Sequence, residues 1–399
     1  MSPRSPAATA AVPIGLYALA AYATGSGIRL LDPVLPLLAA ELGVGVAAAT
    51  AAVAGFLLPY GLVQLVAGPL GDRLGKPRVA CLALLLYGLA LAACALATGL
   101  PGLVALRAAA GLCAGAVIPL LIAHIGDTVP YAERQAALGR FSTGMVMALL
   151  VTGPAVGVMA EAAGWRAPFL AFGLLGLAVA AVLAWRIGPA ALLRGGGPGA
   201  GGGRGGPAGY LALLRRPAGR RLLAVAFWNG ACLFGGAFPF VGAFLVERLG
   251  RTAGEAGLIV AGFGLGAFAY TRLARRLVAR FGERRLLMGG GVGLWLGLLG
   301  LAAAPAWPAV AALQVGLGFA FYLLHGVLQT RATEALPEAR GTAVGGFALA
   351  LFLGQSLGSL AFGLVLALAG YRAAFALAAF GALGLAAYAR RGVVAAPAA

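Results

Sequence analysis

The sequence predicts an all-α membrane protein: twelve transmembrane helices in two pseudo-symmetric six-helix bundles. Three observations predict it. The 399 residues are 62% hydrophobic and only 10% charged, with a mean hydropathy of +0.97. A soluble domain carries roughly a quarter charged residues, and no soluble core absorbs this much apolar surface. Apolar runs of about 20 residues, the length that crosses a bilayer, recur along the whole chain. The second half of the chain also repeats the first.

In order, the apolar runs cover residues 12–38, 47–69, 79–98, 101–125, 136–160, 167–186, 222–246, 255–277, 285–304, 307–329, 342–368 and 371–389. An even number places both termini on one side. Sorting the 29 Lys and Arg residues by loop puts 23 on the side of the termini and four, Arg166, Arg248, Arg251 and Arg372, on the other; Arg29 and Arg107 fall inside helices. Positive charge collects in cytoplasmic loops, so both termini are expected in the cytoplasm. Lys76 is the only lysine. With the abundance of Ala and Gly, that bias fits a GC-rich bacterial genome and a multi-pass protein of the inner membrane. A formal charge of +18 would point to nucleic acid in a soluble protein; confined to membrane-flanking loops, it reports topology, and no nucleic-acid partner is expected. The first apolar run has no convincing cleavage signal and is expected to be retained.

Residues 1–187 are expected to form the N-terminal bundle and 222–399 the C-terminal bundle. The cytoplasmic linker 188–221 opens with a Gly-, Pro- and Ala-rich stretch and closes with Arg215, Arg216, Arg220 and Arg221. The first part has the composition of a flexible linker. The second suits anionic headgroups.

The repeat has a fixed period. Gly164-Trp-Arg-Ala-Pro-Phe169 matches Gly370-Tyr-Arg-Ala-Ala-Phe375 at an offset of 206. Arg134, Gly139 and Phe141 match Arg340, Gly345 and Phe347, and Glu41 matches Glu247, at the same offset. Arg73-Leu-Gly75 matches Arg280-Phe-Gly282 at 207. Two related bundles are the sign of a transporter that alternates access to a site between them near mid-membrane.

Between the second and third runs lies Gly68-Pro-Leu-Gly-Asp-Arg-Leu-Gly-Lys-Pro-Arg-Val79. Its cations, Arg73, Lys76 and Arg78, mark a water interface; Gly75 bends the chain and Asp72 is its one acid. A phosphate-binding loop is excluded, because that motif needs a glycine where Leu70 stands and Ser or Thr where Pro77 stands. The spacing resembles the loop between the second and third helices of the major facilitator superfamily of secondary transporters. That resemblance implies a conformational latch formed by Gly68, Asp72, Arg73, Gly75, Lys76 and Arg78, whose acid faces the N-terminus of helix eleven near Gly341 while the cytoplasmic side is closed. Leu103, Arg107, Gly111 and Gly115 resemble the fourth-helix motif of proton-coupled members. Gly144, Gly153, Pro154 and Gly157 resemble the antiporter motif of the drug-efflux branch, with Val158 standing where a second glycine is usual.

Asp32 is the one acid placed inside a helix, and Arg29 and Arg107 are the internal cations. A charge at the bilayer centre costs about 2.5–3.5 kcal/mol on insertion scales, so pairing or function is expected. Arg29 and Asp32 share a helix face at a spacing of three. Asp32 and Arg107 each lie about six residues, or roughly 9 Å, below the outer boundary, which permits a contact. The cluster reads either as a structural ion pair or as a proton site, with Asp32 the acceptor and Arg107 its charge partner. Candidate pocket residues are the other polar or aromatic side chains in the helices: Tyr60, Gln64, Trp228, Asn229, Tyr270, Gln314, Tyr322, His325 and Gln355. His325 reads as a hydrogen-bonded core histidine or a proton relay. No residues stand at metal-ligand spacing, and Cys81, Cys94, Cys113 and Cys232 read as packing residues, so no metal or cofactor is expected. No catalytic constellation is visible, and an enzyme is not expected.

Together these features predict a secondary transporter that works as a monomer and exports small amphipathic molecules against inward proton flow. Transport of a polar metabolite, sugar or organic anion, is the alternative. A non-transporting sensor or scaffold is the competing class.

Overall fold

The computed structural model describes residues 12–188, 207–336 and 340–392. Within them the chain is helical, without strands. Nine continuous helical stretches are long and apolar enough to cross a bilayer. Two of these are each two crossing helices folded at a glycine: helices eight and nine, Ala253–Ala303, turn at Gly282, φ 71°, and helices eleven and twelve, Arg340–Gly392, turn at Gly370, φ 77°. The first segment, Ile14–Arg29 with Leu35–Glu41, completes twelve.

Helix one is therefore not the continuous run over 12–38 that the hydropathy predicts. Pro33 supplies no N–H and steers the residue before it away from helical geometry. The chain crosses residues 30–34 as a turn, with the Asp32 and Val34 amides donating to the Arg29 and Leu31 carbonyls at 3.1 Å each. Asp32 sits in that break and not inside a helix. Helix two is Ala51–Leu74, entered through the short turn of helix Val46–Ala49; helix three is Lys76–Ala93; helices four, five and six are Leu100–Thr128, Tyr131–Ala163 and Arg166–Ile187. The Gly-rich part of the predicted linker, 189–206, lies outside the described residues. A short helix, Pro207–Arg215, follows it, and helix seven starts at Pro217, so Arg220 and Arg221 are its first turns and not linker. Helix seven runs Pro217–Asn229, a π-wound stretch Gly230–Ala237, then Phe238–Leu249. Helix ten is Trp307–Glu334.

Each half has its own apolar core: one joins buried residues from Ile14 to Leu183, the other from Leu222 to Ala389. The internal repeat is visible in the backbone. The tight turns at Gly75 and Gly282 have φ of 93° and 71°, and those at Gly164 and Gly370 have 76° and 77°, values L side chains rarely adopt. Helix four meets helix two where a Cβ on Gly111 would strike the Phe56 carbonyl, and helix ten meets helix eight where a Cβ on Gly318 would strike the Phe263 carbonyl; both residues of the pair are displaced by 207. Glu41 pairs with Arg166, and its mate Glu247 accepts from the Tyr371 hydroxyl at 2.7 Å. Lys76 holds Asp127 at 2.5 Å, while Glu283, the mate of Lys76, holds Arg331 at 2.5 Å. The same junction of helices is pinned in both halves with the charges exchanged.

The bundles touch along two seams. Helix five lies on helix eight, where Gly153 faces Gly257 and Gly157 faces Ala253. Helix two lies on helix eleven, where Gly61 faces Phe352, Ser356 Oγ donates to the Ala54 carbonyl at 3.1 Å and Gly363 faces Thr50. These contacts run from mid-membrane to the face that carries few basic residues. Toward the opposite, basic face, Gly68 of helix two meets nothing within 4 Å and Val66, Leu70 and Leu74 are exposed. The molecule is closed at its sparsely charged face and open toward its basic one.

Candidate functional site

The break in helix one positions the site. Because Pro33 ends the helix, residues 30–34 turn across the bundle boundary and back onto helix seven, where a Cβ on Gly242 would strike the Asp32 carbonyl. The Asp32 side chain, 7% exposed, takes a hydrogen bond from Arg29 Nη1 on Oδ2 at 3.2 Å. The Arg29 guanidinium in turn lies over the Phe234 ring of helix seven, 4.2 Å from its centroid. A desolvated cation gains from a ring face, so Arg29 is held by one bundle's carboxylate and the other bundle's aromatic. Phe234 projects from the π-wound stretch, a winding that occurs often at functional sites.

The ion pair opens on a narrow cleft lined among others by Arg29, Asp32, Gly153, Phe238, Phe263 and Gln314. Its walls come from helices one and five of the first half and seven, eight and ten of the second. Phe238 and Phe263 stand edge to face with centroids 4.6 Å apart, and Phe234 and Phe321 continue the aromatic wall. The charges of Arg29 and Asp32 cancel, which leaves the lining neutral and mostly apolar.

The expected Asp32–Arg107 partnership is corrected. Arg107, fully buried, donates from Nε to the Ala52 carbonyl at 3.1 Å and from Nη1 to the Gly27 carbonyl at 2.9 Å, with its guanidinium 4.2 Å from the Phe56 centroid. Backbone carbonyls of helices one and two take the hydrogen bonds that equal depth assigned to Asp32, because Arg29 reaches the carboxylate from one turn away. Nη2 of Arg107 has no partner.

The candidate pocket residues divide. Gln314 lines the cleft. Asn229 Nδ2 and His325 Nδ1 lie 2.9 Å apart, and the His325 ring stacks on Phe321 at 4.9 Å; this polar pair lies behind the aromatic wall. Tyr322 packs edge-on against Phe321, and Tyr270 stacks on Tyr322 at 6.2 Å. Tyr60 leans on Phe352 at 4.4 Å, in the seam of helices two and eleven. Gln355 is buried where its backbone meets Gly230 and Gly235 of helix seven. Gln64 is half-buried on helix two, on the stretch leading to the basic face. Trp228 does not join this site: it packs on Gly381, Gly384 and Tyr388 of helix twelve, because its position on helix seven faces that neighbour. The cleft's Phe238, Phe263 and Leu149 were not among the candidates, since an apolar residue in a membrane helix carries no sign of whether it meets lipid, helix or cavity. The break at Pro33 and the run Gly235-Gly-Ala-Phe-Pro239 were the available signals.

The glycines of helix five do form a packing face. Gly144 lies on the Ala18 carbonyl of helix one, and Gly153 and Gly157 bring helix five backbone to backbone with helix eight across the bundle boundary. At the end of that seam the Glu161 carboxylate accepts from the Gly254 amide at 2.7 Å, in the first turn of helix eight. In the loop between helices two and three, Asp72 pairs with Lys76 at 3.0 Å and is 38% exposed. That places it on its own turn and not on helix eleven; the surroundings of Gly341 lie outside the described residues. Arg73 and Arg78 flank the same turn.

Comparison with known proteins places these features in a family. The model of the Major Facilitator Superfamily matches residues 17–250 and again 223–397. The chain is 33% identical over 151 residues to the uncharacterized MFS-type transporter Rv1250 of Mycobacterium tuberculosis, a match covering 37% of this chain and 26% of that protein. It is 28% identical over 363 residues to the uncharacterized MFS-type transporter YwfA of Bacillus subtilis, covering 88% and 85% of the two chains. It is 29% identical over 151 residues to the quinolone resistance protein NorA of Staphylococcus aureus, covering 38% of this chain and 39% of that one. The crystal structure of a D-xylose-proton symporter superposes with a TM-score of 0.74 at 18% identity, covering 95% and 96% of the chains; at that identity the likeness is one of fold.

Proposed function

The chain belongs to the Major Facilitator Superfamily, and from that premise we propose that it exports small amphipathic molecules by exchange with protons across a bacterial inner membrane. The basic face and both termini are cytoplasmic in this reading, so the structure stands open to the cytoplasm and closed to the outside. One observation carries it: the only ion pair in the central cleft, among the described residues, joins a buried carboxylate to an arginine that the opposite bundle also holds. Protonating Asp32 removes the charge that Arg29 pairs with and leaves the guanidinium on Phe234. Proton binding then changes both the charge of the cleft and the contact between bundles, which is what coupling requires. Arg107, locked on two carbonyls, supplies a fixed positive charge behind the pair. The likeness of part of the chain to a quinolone resistance protein and the aromatic walls favour amphipathic cargo. The chain acts as a monomer, with protons as its energy source and no cofactor.

The second reading, a polar metabolite, draws on the buried amides Asn229 and Gln314. In proteoliposomes with an imposed proton gradient, aromatic amphiphiles should discharge the gradient through the wild type and not through Asp32→Asn. Equal discharge by both would remove Asp32 from the mechanism. Discharge by sugars or carboxylates instead of amphiphiles would transfer the assignment to the second reading.

A further inference from the structure

We propose that Gln314 is the group that reads the cargo, and that the molecules this cleft accepts are planar aromatic compounds bearing an N–H donor. The proposal rests on the cleft being the cargo site.

Gln314 stands in the second half where Arg107 stands in the first. Both are displaced by 207, as are Gly111 and Gly318 one turn further on, which make the same contact with the Phe56 and Phe263 carbonyls. The two mates are satisfied differently. Arg107 spends two of its donors on backbone carbonyls. Gln314 is 1% exposed, lines the cleft and leaves its Oε1 without a hydrogen-bond partner. Buried carbonyl oxygens almost always have one, and leaving one unmade is more costly than the bond is worth when made. The cleft therefore holds an acceptor that calls for a donor from outside the protein. Helix eight packs directly beside it: a Cβ at Gly262 would lie 3.4 Å from that of Gln314, in ordinary van der Waals contact.

The rest of the lining narrows the donor. Arg29 neutralises Asp32, so the cleft has no net charge to draw a permanent cation, and a quaternary ammonium or phosphonium has nothing to give Gln314. The edge-to-face pair Phe238 and Phe263 offers faces and edges to a flat ring. A neutral or weakly basic ring system with an N–H satisfies both features at once. Gln314 belongs to one bundle and Asp32 to the other, so such a molecule lies across the boundary that must shift during transport.

The test uses acridone and N-methylacridone, fluorescent tricycles that differ only in the N–H. Binding to the full-length protein in nanodiscs is measured for the wild type, Gln314→Leu and Gln314→Met. The wild type should prefer acridone by about ten-fold, the worth of one net hydrogen bond. Both variants should lose that preference while binding N-methylacridone within about two-fold of the wild type, which also shows that they are folded. A preference that survives in either variant overturns the role of Gln314. Equal binding of the two probes by the wild type, or binding of neither, overturns the cargo class. Proton coupling is read separately, by the Asp32→Asn flux measurement, so the two readings fail independently.

Discussion

The seam between helices five and eight makes a quantitative prediction about conformation. A Cβ on Gly153 would lie 2.9 Å from the Gly257 carbonyl oxygen, where ordinary contact begins at 3.4 Å. The obstructing atom is backbone, so no side chain can rotate away, and the helices must part by about 0.5 Å, the difference of those two distances. Overpacking of this kind costs about 1–3 kcal/mol. The strain exists only while the sparsely charged face is closed, because the seam separates when that face opens. Gly153→Ala should therefore raise the ratio of open to closed molecules at that face by about 5- to 150-fold. Pulsed EPR can read it in nanodiscs, with labels on Ala163→Cys and Ala306→Cys at the exposed ends of helices five and ten, one in each bundle. Gly139→Ala is the control, since nothing lies within 4 Å of its Cβ position. The wild type should show mainly the short distance and Gly153→Ala a large long component. A distribution identical to the control's would refute the assignment of this seam as the gate.

Two further substitutions test the ends of the gates. Glu161→Gln weakens the cap on helix eight across the boundary; a carboxylate at a helix N-terminus contributes about 0.3–1 kcal/mol, so the same label pair should report a shift of about two- to five-fold toward opening, smaller than that of Gly153→Ala. Asp72→Asn should leave thermal stability within about 0.5 kcal/mol, since the exposed Asp72–Lys76 pair contributes little, yet it should deplete the state closed at the basic face, as read by labels placed there; an unchanged population would end the proposal that Asp72 latches onto helix eleven.

Much of the fold could be read from the residues because the bilayer constrains it so strongly. Run length marks the helices, and the repeat located the tight turns at Gly75, Gly164, Gly282 and Gly370, all of which have positive φ. The site was legible only in part. Asp32 and Arg29 were identified as a pair on one helix face, and they meet. Pro33 breaks the helix locally, but hydropathy averages over it, so the break that carries Asp32 into the boundary leaves no mark on run length. Depth along a helix gave Arg107 the right level and the wrong partner, because depth says nothing about the direction in which a side chain leaves the helix. Trp228 shows the same limit: nothing in the sequence tells a cleft-facing aromatic from one packed on helix twelve.

The duplicated backbone has diverged in its chemistry, and the divergence has a direction. At matched positions the first half has Arg107 and the second Gln314; Gly88, packed on Gly173, has as its mate Trp295, which lies against Phe380 at 6.4 Å. Every ionisable group that lines the cleft comes from the first half, while the second brings Phe238, Phe263 and Gln314. Under the proposed function this divides the labour: one bundle binds the proton and the other the ring and its donor. Arg29 bridges them, paired with Asp32 and resting on Phe234. A cargo molecule wedged between Gln314 and Asp32 disturbs that bridge, and so does a proton on Asp32. Two ligands that act on one contact cannot be indifferent to each other, and linkage makes their effects reciprocal. Exchange then follows from the placement of a single arginine between the two bundles, without a separate relay.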